Sequence, residues 1–335
     1  MTAMAHEIRE IPAAAGRLLG RQALLSAIAD RIHAAAPRVV VTCGRGSSGH
    51  VGVYLRYLFE ARIGLLVSAA APSVITAYRK QPDMRNALFL VISQSGRSPD
   101  LVAATQSARR AGALTLALVN DDASPAAAAA DLVLPIDAGP ERAVAATKTV
   151  VLSMLAGVQL VAELTGDGEL SDAVERLPHR LETALGCDWS AWSERVARAP
   201  AAFVAARGYA FATAREIALK LTETLRVPAL GYSAAELLHG PRAAIAPDTP
   251  VLLLRPNDEA AATVDELISN LSVAGETVFS AGGPHSNLSW IGDDHPICDA
   301  MTMLMPAYAA VEAAARRSGL DPDNPLHLTK VTRTL

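Results

Sequence analysis

Lysine is scarce in this chain, and the few lysines present sit where chemistry is possible. Of thirty basic residues, twenty-six are arginine and four are lysine: Lys80, Lys148, Lys220 and Lys330. An ammonium can lose its proton, act as a nucleophile or form a Schiff base, and a guanidinium does none of these readily. Three of the four lie in local patterns, Val-Ala-Ala-Thr-Lys148, Ala-Leu-Lys220-Leu-Thr-Glu and Leu-Thr-Lys330. Lys220 and Glu223 are three residues apart, so on a helix they share a face. An ordinary surface ion pair has the same spacing. Glu236 and His239 repeat it, and Gly240-Pro241 ends the short helix that carries them. A histidine there fits either a helix cap or acid/base work.

Two hydroxyl-rich loops supply the second set of candidates. Gly44-Arg-Gly46-Ser-Ser-Gly49 follows an apolar run and precedes a helical pattern. It matches the dinucleotide fingerprint, but that fold also requires an acid about 20 residues on to hold the ribose. Here the next strand ends Val67-Ser-Ala-Ala-Ala71, which has no acid. Ser47 and Ser48 at a helix start instead suit a phosphate monoester, which backbone amides and hydroxyls can both hold. Ser93-Gln94-Ser95-Gly96-Arg97-Ser98-Pro99-Asp100 repeats the arrangement with three hydroxyls, an amide and a Pro suited to a first turn. A third loop, Glu141 to Thr149, places small residues around Val144, Ala146 and Thr147, where a ligand can approach the backbone. No HxxxH, CxxC or clustered Asp pattern indicates a metal, and no GxSxG indicates a hydrolytic serine.

These loops need an open parallel sheet to present them. Short apolar runs alternate with helical periodicity, the pattern of an α/β fold. The first half predicts strands at 38–43, 64–68, 87–93, 114–120 and 131–135. Its helices fall at about 13–35, 48–61, 73–78, 99–111, 124–129 and 143–164. In flavodoxin order (2-1-3-4-5) the two seryl loops flank the switch point where such sheets bind ligands. The second half predicts strands at 201–206, 251–254, 276–280 and 296–298. Helices are expected at about 172–197, from 208 to 225, 260–274 and 301–318. The repeated strand, Arg-Gly, helix pattern at Arg45-Gly46 and Arg207-Gly208 suggests two copies of one unit. The boundary is expected at the Gly-rich break near 168, giving domains 1–168 and 169–335.

At 335 residues the chain has room for two domains of about 150 residues. A net charge of −4 without a basic run argues against nucleic acid. Three scattered cysteines without CxxC suggest reduced thiols. No apolar signal segment is evident, and charges or Pro interrupt the long Ala-rich stretches. A cytoplasmic protein with no membrane segment is the expectation.

The ordered set Gly46-Ser-Ser48, Ser93-Gln-Ser-Gly96, Val144-Ala-Ala-Thr-Lys148, Lys220-Leu-Thr-Glu223, Glu236-Leu-Leu-His239-Gly-Pro and Asn324-Pro-Leu-His-Leu-Thr-Lys330 resembles the sugar isomerase (SIS) family. It is similar to the double-SIS isomerase domain of glucosamine-6-phosphate synthase and to stand-alone SIS-type glucosamine-6-phosphate deaminase. The resemblance implies two flavodoxin-like domains, each a five-stranded parallel sheet flanked by helices. It implies a homodimer with a shared active site, a hexose 6-phosphate or amino-sugar phosphate as ligand, and no cofactor. Ser47, Ser48, Ser93, Gln94, Ser95 and Ser98 would hold phosphate and sugar hydroxyls, with Val144, Ala146 and Thr147 beside the sugar. Glu223 would move a proton between C1 and C2, and His239 would assist ring opening, in its own or the partner subunit's site. Lys220 would stabilise enediol-like charge, and Lys330 would reach the open-chain sugar. Where the family has Glu-Thr after Ser-Gln-Ser-Gly, this chain has Arg97-Ser98, and Ala146 replaces a usual Ser. The synthase's glutaminase domain has no counterpart in the sequence, so glutamine is not the expected nitrogen source. The implied reaction converts glucosamine 6-phosphate and water to fructose 6-phosphate and ammonia. Its neighbours are galactosamine-6-phosphate deamination, fructosamine-6-phosphate deglycation and plain phosphosugar isomerisation. A non-catalytic sugar-phosphate sensor is the rival from another class.

Overall fold

The computed structural model describes residues 1–330. The chain divides into two compact units. One comprises Ala13–Glu141, Lys148–Glu175 and the pair Thr329 and Lys330, and the other Met1–Pro12, Arg142–Thr147 and Arg176–Leu328.

The first unit is built on five parallel strands, β1 (Val39–Cys43), β2 (Leu66–Ala69), β3 (Ala87–Ser93), β4 (Leu114–Val119) and β5 (Leu132–Pro135). Their order is β2-β1-β3-β4-β5, the flavodoxin order expected. All seven residues of the central strand β3 are buried, which is why it reads as an unbroken apolar run rather than an alternating one. Phe89 and Val91 pack with Leu101, Ala104 and Ala108 of the helix Pro99–Arg110, residues spaced to lie on one helical face. On the helix Lys148–Thr165, a Cβ at Gly157 would stand 2.2 Å from Leu55 Cδ2. Gly157 thus leaves the space that the Leu55 side chain of Ser47–Leu58 fills.

Two sequence expectations for this region are corrected. The helix expected over 13–35 is two, Ala3–Leu18 and Gln22–Ala35. Pro12 lies inside the first, because Met4, Ile8, Ile11, Ala15 and Leu18 form a buried stripe that outweighs the missing N–H. The helix expected from 143 begins at Lys148. The residues ahead of it are not helical; their amides serve distant partners, Arg142 and Ala143 donating to the Glu7 carboxylate and Val144 to the Asp323 carbonyl. That helix is also long and apolar enough to cross a membrane by length and composition, a test that the core helix of a folded domain passes equally. It is buried along most of its length, as a core helix would be.

The second unit has four parallel strands, β6 (Ala202–Ala206), β7 (Ala229–Ser233), β8 (Val251–Leu254) and β9 (Val278–Ala281), in the order β7-β6-β8-β9. The strand expected at 296–298 is the first turn of a helix, Pro296–Thr302. Pro296 suits N1, and the His295 ring accepts the Ile297 amide at 3.3 Å. This sheet therefore has four strands among the described residues rather than five. Strand β7 was not expected. It lies at the sheet edge, and a Cβ on Gly231 would meet the Arg215 backbone at 2.5 Å, so the strand lies directly against the helix Phe211–Leu225. The core gathers Phe203, Ala205, Leu253, Val264 and Leu267. At the N-terminus, Thr2 caps the first helix and the Asp323 carboxylate accepts the Ala3 and Met4 amides, both at 2.8 Å.

Candidate active site

In the first unit, hydrogen bonding between adjacent β1 and β3 brings the two seryl loops to neighbouring strand ends. Cys43 ends β1, and the helix Ser47–Leu58 starts four residues later. The turn is tight: a Cβ at Gly44 would stand 2.9 Å from the Ser48 backbone, and Gly46 takes φ +52°. Ser93 ends β3, and its hydroxyl accepts the Gly96 amide at 3.1 Å. Gly96 is also left-handed, at φ +61°, with Ser124 against it. The side chains of Ser48, Gln94 and Ser98 hydrogen-bond to no group among the described residues. They are partly exposed, so their donors are free for a ligand. Ser47 and Ser95 are likewise half-buried, while Ser93 is buried.

The two loops are also tied by charge. Arg45 Nε donates to Asp100 Oδ2 at 2.6 Å, and Nη2 stands 2.5 Å from the same oxygen. Arg97 of the second loop pairs with Asp121 beyond β4 at 2.9 Å. Beneath the first loop, burial and the Asp100 charge push the Cys43 thiol up to about 12.

This unit also carries a buried acid, Glu141, for which the sequence predicts no role. The Glu141 carboxylate accepts the Thr149 amide at 3.0 Å and the Thr149 hydroxyl at 2.8 Å. It also pairs with Lys330 at 2.8 Å. Lys148 is buried, with Nζ donating to the Pro140 carbonyl at 2.9 Å. Lys330, expected to reach a sugar, thus rests on Glu141.

In the second unit, the helix Phe211–Leu225 brings Lys220 and Glu223 together. Lys220 is 1% exposed and paired with Glu223, whose side chain remains 21% exposed. It is no surface ion pair. Glu216, one turn earlier, is equally buried and lies 3.4 Å from Lys220 Nζ, with the Tyr308 hydroxyl donating to it at 3.4 Å. One ammonium therefore sits between two carboxylates. Glu216 was missed, although its position four residues before Lys220 is the signal that could have found it. His239 is exposed at the turn between the helix Ala234–Leu237 and the 3-10 turn Gly240–Ala244. The Gly-Pro that was expected to end a helix here also opens the next turn. Within the segment Arg142–Thr147 of the same unit, Ala143, Ala145 and Thr147 are buried while Val144 and Ala146 are partly exposed. That alternation leaves the backbone on one side open to approach. Among the described residues no three His, Cys, Asp or Glu side chains group as metal ligands.

Parallel sheets with a flavodoxin strand order and free hydroxyls at adjoining strand ends define a doubly wound α/β protein suited to anionic small molecules. More specifically, the chain belongs to the SIS domain family, whose model matches residues 34–163 and 196–288. The motif resemblance is thereby supported. Glutamine–fructose-6-phosphate aminotransferase (isomerizing) of Pseudomonas aeruginosa is 33% identical over 322 residues, covering 87% of this chain and 50% of that protein. The protein of the same name from Methanothermobacter thermautotrophicus is 32% identical over 343 residues, covering 98% and 56%. The chain thus spans about half the length of these curated relatives. Among solved structures, a candidate phosphosugar isomerase from Silicibacter pomeroyi is 39% identical with a TM-score of 0.90, over 96% of this chain and 100% of that one. Glucosamine-6-phosphate deaminase of Thermotoga maritima shares the fold, with 19% identity and a TM-score of 0.80 over 99% and 100% of the two chains.

Proposed function

We propose that this chain is an amino-sugar phosphate deaminase-isomerase converting glucosamine 6-phosphate and water to fructose 6-phosphate and ammonia. In this reading the serine loops hold the phosphate through Ser47, Ser48, Ser93, Gln94, Ser95 and Ser98. Val144, Ala146 and Thr147 lie along the sugar. His239 assists ring opening, with a homodimer as the working form. Glu223 removes the proton from C2 of the open-chain aldose and returns one to C1. The product of that shift is a C2 imine. Water adds to it, the C2–N bond breaks, and ammonia leaves a C2 ketone. Lys220 stabilises the enediol-like charge of the intermediate, and Lys330 binds the open chain. No electrons are gained or lost, so the residues named suffice for the chemistry.

The observation that carries the reading is the buried Lys220 between Glu216 and Glu223. Burying an ion pair is costly in stability, and a protein that only sensed a phosphosugar has no use for a desolvated ammonium beside a partly exposed carboxylate. The loops support the substrate class: the unpaired hydroxyls of Ser48 and Ser98 and the helix-start amides suit a phosphate ester. The relatives named above support the reaction class.

The test is ammonia and ketose release from glucosamine, galactosamine and fructosamine 6-phosphates, with wild type and Glu223→Gln. Turnover of glucosamine 6-phosphate is expected to fall by about 10²–10⁴-fold in the variant, while fructose 6-phosphate still binds. No ammonia from any of the three would remove the deaminase reading. Full turnover by Glu223→Gln would remove Glu223 from the chemistry.

A further inference from the structure

The serine loops offer neutral donors to a ligand that carries about two negative charges. Arg45 reaches across both loops. Arg45 stands between Gly44 and Gly46, so it is the one side chain the first loop presents before its helix begins. Its guanidinium crosses to Asp100, in the first turn of the helix that follows the second loop. The side chain is nonetheless 51% exposed, whereas Asp100 is 1% exposed. Nε and Nη2 share a single carboxylate oxygen. A guanidinium has five N–H donors, so most of its donor capacity is left for something outside the protein.

Asp100 is arranged for this partner at its own expense. Its other oxygen, Oδ1, is buried with no hydrogen-bond partner among the described residues. A buried acceptor left unmade is costly. A tie between two loops could be made by neutral groups without that cost. A fixed charge aimed from a buried anchor is what recognition of a phosphate requires, since Arg binds phosphate through a planar fork whose orientation matters. Arg97 is held differently. Its partner Asp121 is 36% exposed and Arg97 itself 61%, a surface pair that salt screens and that fixes little.

We propose that Arg45 is a ligand of the substrate's phosphate ester and that Asp100 is the residue that positions it, an assignment that rests on the sugar-phosphate reading above. Arg45 then supplies an anchored positive charge, which the surface-paired Arg97 does not, and distinguishes phosphorylated from free sugars.

The experiment is calorimetric titration of inorganic phosphate and of fructose 6-phosphate into wild type, Arg45→Gln and Arg45→Lys, with thermal melts of each. Arg45→Gln is expected to weaken both ligands by about tenfold to a hundredfold, the size of a lost charge-assisted hydrogen bond. Arg45→Lys keeps the charge without the fork and should recover part of that affinity. A strut alone would lower the melting temperature and leave affinity unchanged, which overturns the assignment. Should Arg45→Gln not fold, a crystal structure of wild type with fructose 6-phosphate decides: a phosphate oxygen within hydrogen-bond distance of an Arg45 nitrogen is expected. A phosphate bound without touching Arg45 overturns it. Weakened binding in Arg45→Gln together with no ammonia from wild type would leave Arg45 a phosphate ligand and remove the proposed reaction. Unchanged binding in an active enzyme would do the reverse, and a wild type that binds neither ligand would remove both.

Discussion

Replacing Lys220 by Met tests the energetics of the buried charge set directly. Met nearly matches the length of the Lys side chain and fills its space, so little cavity arises. What changes is the charge. Glu216 and Lys220 are both 1% exposed and 3.4 Å apart, so the variant leaves the Glu216 carboxylate buried without its counter-ion. Removing one partner of such a pair costs about 3–5 kcal/mol. Glu223 adds little to this, because at 21% exposure it retains water. Domains of this size lose about 2–4 °C of melting temperature per kcal/mol, so a fall of roughly 10 °C is expected at pH 7. Thermal and urea unfolding of Lys220→Met, Glu216→Gln and the double variant measure it. In the double variant the orphaned charge is gone, and at least half of the loss should return. A Lys220→Met protein within about 1 kcal/mol of wild type, by the exposed-pair standard, would refute the claim that this set is desolvated. So would a double variant no more stable than Lys220→Met.

Two further outcomes follow from the loops and the thiols. Gly96→Ala places a Cβ 2.1 Å from Ser124 Oγ at a residue with φ +61°; urea unfolding should show a loss of more than about 1 kcal/mol, and fructose 6-phosphate should bind more weakly. Cys43 and Cys298 are buried, and burial pushes each thiol up to about 12. The thiolate is the reactive form, so a disulfide reagent at pH 8 should leave both unmodified in the native protein and reach all three cysteines once it is unfolded.

The first unit was largely legible because its five strands are short apolar runs punctuated by Gly, Ser and Pro, and runs of that kind admit few alternatives. Its strand order followed from the family of open parallel sheets rather than from any one residue. The second unit was less so. Strand β7 reads Ala-Leu-Gly-Tyr-Ser, an edge strand that packs through a glycine, and shows no apolar run. Pro296-Ile-Cys298 is apolar but too short for periodicity to separate strand from helix, and the cap from His295 settles it as helix. The segment just ahead of Lys148 hydrogen-bonds to Glu7 and Asp323, more than a hundred residues away in sequence, which no local pattern reports. The same limit applies to chemistry. Spacing put Lys220 and Glu223 on one face, but could not say that the face is buried or that Glu216 completes it.

The central claim is that Glu223 moves a carbon-bound proton of an amino-sugar phosphate. Glucosamine 6-phosphate deuterated at C2 reports on that step alone. Wild type should release ammonia as deuterium leaves C2, appearing at C1 of fructose 6-phosphate or in solvent, and Glu223→Gln should do neither. Ammonia released with C2 deuterium retained, or C2 exchange undiminished in Glu223→Gln, would contradict the account.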